Sequence, residues 1–176
     1  MNRVLIIILF FFSTNLYAQI FIANDGKITF FSEAPLEDIS AVNNKVSAVY
    51  DKSNKQIVFK LSIKDFVFPI PLMQEHFNEN YLESDVYPNS IFQAEVIGTN
   101  VKEIGDAKVE GDLTIHGITN KIFVDGFLLE KDNNIIIKAN FSIKLKDYKI
   151  KIPKIVMYKI AEEIAISVNI ELKEMK

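Results

Sequence analysis

From residue 135 to residue 146 the side chains alternate without a break. Ile135, Ile137, Ala139, Phe141, Ile143 and Leu145 share one face; Ile136, Lys138, Asn140, Ser142, Lys144 and Lys146 lie on the other. A period of two marks a half-buried β-strand, because successive side chains leave opposite faces of the pleat. Residues 164–173 repeat the pattern, with Ile164, Ile166, Val168, Ile170 and Leu172 set against Ser167, Asn169, Glu171 and Lys173. Ile57, Phe59, Leu61 and Ile63 alternate with Val58, Lys60, Ser62 and Lys64, and Val109, Gly111, Leu113 and Ile115 with Glu110, Asp112, Thr114 and His116. Weaker strands cover 20–23, 27–32, 45–50, 91–97 and 122–130, the last apolar on both faces.

Turn chemistry separates these runs. Asn24-Asp25-Gly26 reads as a tight hairpin turn. Residues 51–54, His116-Gly117 and 131–134 read as further reversals. Loops this short join antiparallel neighbours, since a parallel pair needs a crossover. One segment departs from the rule: residues 72–82 place Met73, Phe77 and Tyr81 four apart, with Glu75, Glu79 and Glu83 on another face, as a short amphipathic helix does. Eight or nine two-faced strands must bury their apolar sides. Closing into a barrel does so and removes the sheet edges. The expected class is all-β, an eight-stranded antiparallel barrel with one short helix; a sandwich is the other solution.

The 176 residues amount to one domain. Residues 1–18 have the layout of a signal peptide: Arg3 near the start, an apolar run over 4–12, a polar stretch at Ser13-Thr14-Asn15, and Ala18 before the cut. The run is shorter than the roughly 20 residues a membrane helix needs, and no later segment is longer, so no membrane span is expected in the mature form. The domain is then 19–176, in the periplasm or secreted. The chain has no cysteine, which removes disulfides, thiol nucleophiles and thiolate metal sites together. Losing Arg3, the one arginine, leaves 19 lysines against 23 acidic residues. A mildly acidic chain without arginine is a poor partner for nucleic acid.

Small residues on several inward faces suggest an interior that is not full. Ala48, Ala94, Ala107, Gly111 and Ala139 share faces with large apolar ones. The expected cavity lining is Ala48, Phe59, Leu61, Phe92, Ala94, Gly111, Leu113, Ala139, Phe141 and Ile166. An eight-stranded barrel is just wide enough to be filled or to hold one small ligand. The alternative is that small and large residues merely alternate to fit the barrel's taper. Two apolar loops, 66–72 and 150–160, are candidate lids, unless they pack on the wall or on the helix. No catalytic residue, metal site or cofactor is expected. His76 and His116 are the two histidines, fewer than a zinc site usually draws on, and no serine is framed by glycines as a nucleophile would be. No acid–base pair falls on an inward face.

Residues 111–119, Gly-Asp-Leu-Thr-Ile-His-Gly-Ile-Thr, resemble the hairpin motif of the YceI-like family. Asn80-Tyr81-Leu82-Glu83-Ser84 with Tyr87-Pro88 and Phe92 is similar to that family's helix-to-strand passage, and Asp147-Tyr148-Lys149-Ile150 to its Asp-aromatic-Gly-Ile turn. The closing alternating strand matches the family's end. The similarity spans nearly the whole mature chain. It implies a lipocalin-like barrel holding a polyisoprenoid or similar long-chain lipid. Three departures stand out: Lys27-Ile28-Thr29-Phe30-Phe31-Ser32 lacks the histidine often found there, Lys144 and Lys146 replace an arginine, and Lys149 replaces the turn's glycine. The cavity therefore carries over better than any headgroup contact. The expected function is an exported, non-enzymatic lipid-binding protein. Its rival is a structural envelope protein with a filled barrel and loop contacts to a partner. A hydrolase or isomerase acting in the same cavity is disfavoured by the missing acid–base pair.

Overall fold

A computed structural model describes residues 19–33, 38–99, 105–152 and 161–175. The expected signal peptide, 1–18, lies outside the described residues. Eight strands form the fold: β1 (Ile20–Ser32), β2 (Ile39–Asp51), β3 (Gln56–Ser62), β4 (Asn89–Thr99), β5 (Gly105–Ile115), β6 (Ile118–Lys131), β7 (Asn134–Lys144) and β8 (Glu163–Glu174). Each pairs antiparallel with the next, and β8 pairs antiparallel with β1, from Phe21↔Glu174 to Phe31↔Ala165, so the sheet is a closed barrel. The strand-to-strand alternation holds: Ile135, Ile143, Ile164, Val168, Ile170 and Leu172 are buried, while Lys138, Asn140, Asn169 and Glu171 are exposed.

Two hairpins follow their turn chemistry. His116 and Gly117 have φ of 51° and 70°, and Asp132 and Asn133 have φ of 52° and 62°. Paired left-handed residues make the two-residue turn whose twist suits a hairpin. Asn24-Asp25-Gly26 does not turn. It lies inside β1, where the register with β2 shifts between Ala23 and Gly26 and again before Ile28. This is a bulge, and Asn24 and Asp25 protrude into solvent on it. The glycine is there for space: a Cβ at Gly26 would come within 2.7 Å of the Ile170 side chain. Sequence alone favours the turn because the same residue type serves both purposes.

β2 and β3 are paired only from Ser47↔Lys60 to Asp51↔Gln56. Beyond that point the segment after β3 takes over the free edge of β2. Val42 and Val67 exchange backbone hydrogen bonds of 3.1 and 2.9 Å, and the fully buried Asn43 donates from Nδ2 to the Ser62 carbonyl at 3.0 Å. The helix comes next. α1 (Pro71–His76) starts with proline at its first turn, where no amide hydrogen is needed. It runs on into a π-helical turn, Phe77–Tyr81, closed by Leu82 N–H donating to the Phe77 carbonyl at 2.9 Å. The turn after β7 contains Lys149 at φ 55°, a left-handed conformation that suits the glycine it replaces.

The barrel is solid at one end. Phe21, Val46, Tyr50, Ile135, Ile170 and Leu172 are almost fully buried near the 52–55 and 132–133 hairpins. Phe21 and Tyr50 have ring centroids 6.4 Å apart. Leu172→Ala should remove about 2–5 kcal/mol of unfolding free energy, read by denaturant titration. Lys149→Gly, relieving the left-handed lysine, should raise stability by about 0.5–1 kcal/mol in the same assay.

Candidate ligand cavity

Above the packed end the interior opens into a cavity of about 550 Å³. Its floor is Ile57, Val96, Ala107 and Leu128. Its wall includes Phe59 and Phe92, stacked across β3 and β4 with centroids 6.3 Å apart. At the far end stand Phe30, Phe66, Phe68 and Phe77, with ring centroids 4.9–5.6 Å apart. The bridge between Val42 and Val67 holds Phe66 and Phe68 in place, because alternation turns both inward while Val67 faces solvent. The helix contributes Met73, Phe77 and Tyr81 from one face, the stripe legible in the sequence. Ile70, Leu72 and His76, all exposed, complete the rim.

Of the ten expected lining residues, Phe59, Leu61, Phe92, Leu113, Ala139, Phe141 and Ile166 border this cavity. Ala48, Ala94 and Gly111 are buried but do not border it. At Gly111 and Ala94 the smallness meets a close contact across β4 and β5. A Cβ at Gly111 would lie 2.4 Å from the Ala94 Cβ and 2.3 Å from the Gln93 carbonyl oxygen, and Ala48 faces Phe59 across the β2–β3 ladder. The expected lining leaves out the floor and the aromatic group, although Ala107, Ile57 and Phe77 stand on faces that the sequence marks as apolar. Ile57 shares the face of Phe59, so the period-two signal could have found it. Phe66 and Phe68 flank Val67 in a run that is apolar at all three positions, and Phe77 lies on the helix, so a period of two in polarity marks none of them.

The first candidate lid is divided. Phe66 and Phe68 are tucked under the helix, whereas Ile70 and Leu72 reach solvent. Of the second, Ile150 is buried and borders the cavity; residues 153–160, with Ile155, Val156, Met157 and Tyr158, lie outside the described residues.

Polar groups are sparse around the cavity. Tyr81 borders it, and burial raises its phenol above the ordinary value, keeping it neutral. His76 is at the rim, and Lys138 borders the cavity at the wall with its residue otherwise exposed. Among the described residues no carboxylate borders the cavity, and no group of three or more His, Asp and Glu side chains stands close enough to hold a metal ion. His116, for which the sequence suggests no orienting partner, has two. Its Nδ1 lies 3.2 Å from the Tyr148 carbonyl and its Nε2 lies 2.7 Å from Glu83 Oε2, with Tyr87 edge-on at 4.6 Å. The imidazole ties the end of the helix to two hairpin-end turns, outside the cavity. His116→Ala should lower unfolding free energy by roughly 1–3 kcal/mol, the range for hydrogen bonds to a charged or buried partner, without changing the cavity's capacity, which ligand titration would read.

The fold and cavity define a class: a closed eight-stranded barrel, sealed at one end, with an apolar cavity under a short helix at the other. A YceI-like domain model matches residues 20–172, and the chain belongs to the YceI-like family. Similar solved structures include a polyisoprenoid binding domain from Saccharophagus degradans implicated in plant cell wall breakdown (TM-score 0.77, 13% identity, 90% of this chain and 99% of that one). BcnA of Burkholderia cenocepacia aligns with a TM-score of 0.71 at 15% identity, over 84% of this chain and 95% of its own. The Campylobacter jejuni YCEI protein aligns with a TM-score of 0.65 at 18% identity, over 82% and 89%. No curated protein sequence matches the chain.

Proposed function

We propose that this chain is an exported lipid-binding protein that holds a polyisoprenoid or similar long apolar chain in its barrel, without catalysing a reaction on it. The observation that carries the reading is the cavity: about 550 Å³, bounded almost wholly by apolar side chains and open at the helix end. A ligand site normally adds a few convergent polar groups to such a lining. Here they are so few that recognition must come from the chain of the ligand rather than from its head.

The magnitudes allow it. A cavity of about 150 Å³ accepts benzene, so each carbon needs roughly 25 Å³ and this cavity takes roughly 20 carbons, or about four isoprene units. At about 0.8 kcal/mol per buried methylene, that is about 16 kcal/mol gross, against an association cost of about 4–15 kcal/mol. Binding needs no polar anchor. The polyisoprenoid binding named for the Saccharophagus domain supports the same ligand class here. Export rests on the basic start and apolar run of residues 1–18. Binding without catalysis is the reading favoured by a lining that is almost wholly apolar. The rival filled barrel describes only the hairpin end.

Ala139 tests the reading, because it borders the cavity between Ile137 and Phe141. Ala139→Leu adds its side chain to open space. On delipidated protein, stability should hold, while lipid recovered by solvent extraction of protein purified from its own host should fall. A barrel solid at that level would instead lose about 1–3 kcal/mol through overpacking. Delipidation matters because bound ligand stabilises the native state by mass action. A destabilised variant together with a wild type that yields no lipid would refute the reading.

A further inference from the structure

We propose that the rim of the cavity mouth, at Ile70 and Leu72, docks on the surface of a zwitterionic lipid bilayer, and that the cavity is loaded there. This rests on the lipid-holding function proposed above. Three observations carry it. The hairpin end is packed solid by Ile135, Ile170 and Leu172, so cargo must pass the helix end. Ile70 and Leu72 are 39% and 56% exposed, yet both also border the cavity. An apolar chain leaving a membrane for that cavity thus meets apolar side chains at the threshold. Crossing water instead would expose the chain at about 0.8 kcal/mol per methylene, which a contact between mouth and bilayer avoids.

The third observation is charge, and it selects the lipid. Two lysines near the rim are paired, Lys45 with Asp65 at 3.0 Å and Lys64 with Asp85. Glu75 and Glu79 are exposed on the helix. A surface drawn to anionic lipid carries a basic excess; the helical segment beside the rim, residues 71–81, carries Glu75 and Glu79 and no lysine. Attachment therefore depends on apolar insertion, which scales with the area buried in the interface. Phe123 supplies the contrast. It is 70% exposed, more than either rim residue, but sits on the outer wall of β6 and does not border the cavity.

The test uses the whole chain and radiolabelled geranylgeraniol, a neutral isoprenoid alcohol, in phosphatidylcholine–phosphatidylethanolamine vesicles. The initial rate of transfer to protein is measured for wild type, for Ile70→Glu with Leu72→Glu, and for Phe123→Glu. Binding of geraniol, short enough to dissolve in water, is titrated in parallel. The double variant should transfer at least about tenfold more slowly than any change in its geraniol affinity accounts for, equivalent to about 1.4 kcal/mol, and should no longer float with vesicles. Phe123→Glu should match wild type in both assays. Added phosphatidylglycerol should slow transfer, and high salt should leave transfer from the zwitterionic vesicles unaltered. Wild-type transfer by the double variant, or slowing by Phe123→Glu alone, would overturn the docking site with the lipid reading intact. So would a fall in the double variant's geraniol affinity large enough to account for all of its slower transfer, since the two residues would then act on the cavity and not on the bilayer. Faster transfer from anionic vesicles would overturn the choice of bilayer. A wild type that binds neither alcohol would remove the lipid reading and this proposal together.

Discussion

The pairing of β1 with β8 is the constraint on which the rest depends. Until Phe21 meets Glu174 and Phe31 meets Ala165, the sheet has two open edges and its apolar face has nowhere to go. Once they meet, strand number limits the interior to a width that side chains can just fill. Whether a given level is full or hollow then follows from what each strand directs inward there. At the hairpin end six large residues meet and exclude everything else. Toward the helix the walls stay apolar, the filling stops, and a roof from outside the sheet becomes necessary. These contacts join the two ends of the chain, so the fold is rich in non-local pairings of the kind that form slowly.

The roof shows how a barrel accommodates an element that does not belong to it. Where β3 leaves the edge of β2, the chain does not abandon that edge. It borrows two of β2's backbone groups at Val42 and uses Asn43 to hold Ser62. With Val67 fixed on the outside, Phe66 and Phe68 are directed inward, and Phe77 of the helix has rings to pack on. The aromatic group is therefore a consequence of backbone pairing as much as of hydrophobicity.

Much of this could be read from the sequence, and the parts that could not have physical reasons. Alternation in 135–146 and 164–173 depends only on local geometry, so the strands and their inward faces follow directly, as does the helix from Met73, Phe77 and Tyr81. Periodicity gives the face on which a residue lies but not its height in the barrel. For that reason Ala48, Ala94 and Gly111 could be placed inside but not separated from the true cavity wall, and Ile170 could not be distinguished from Ile166 by pattern. Gly26 misled for a different reason: closeness to Ile170 is a tertiary fact, invisible to a rule about adjacent residues. The partners of His116 come from Glu83 and from the turn at Tyr148, more than thirty positions away in each direction.

The solid hairpin end has a consequence for how such a protein can vary. Below the floor formed by Ile57, Val96, Ala107 and Leu128 the interior is filled by side chains, whereas the volume available to a guest lies above it. A substitution at a partly buried position of the upper wall, such as Phe59, Phe92, Ala139 or Ile166, changes the shape of the guest space and leaves the packing of the hairpin end untouched. Lineages built on this plan are thus free to exchange cargo by small steps, each viable, without first acquiring a more stable scaffold.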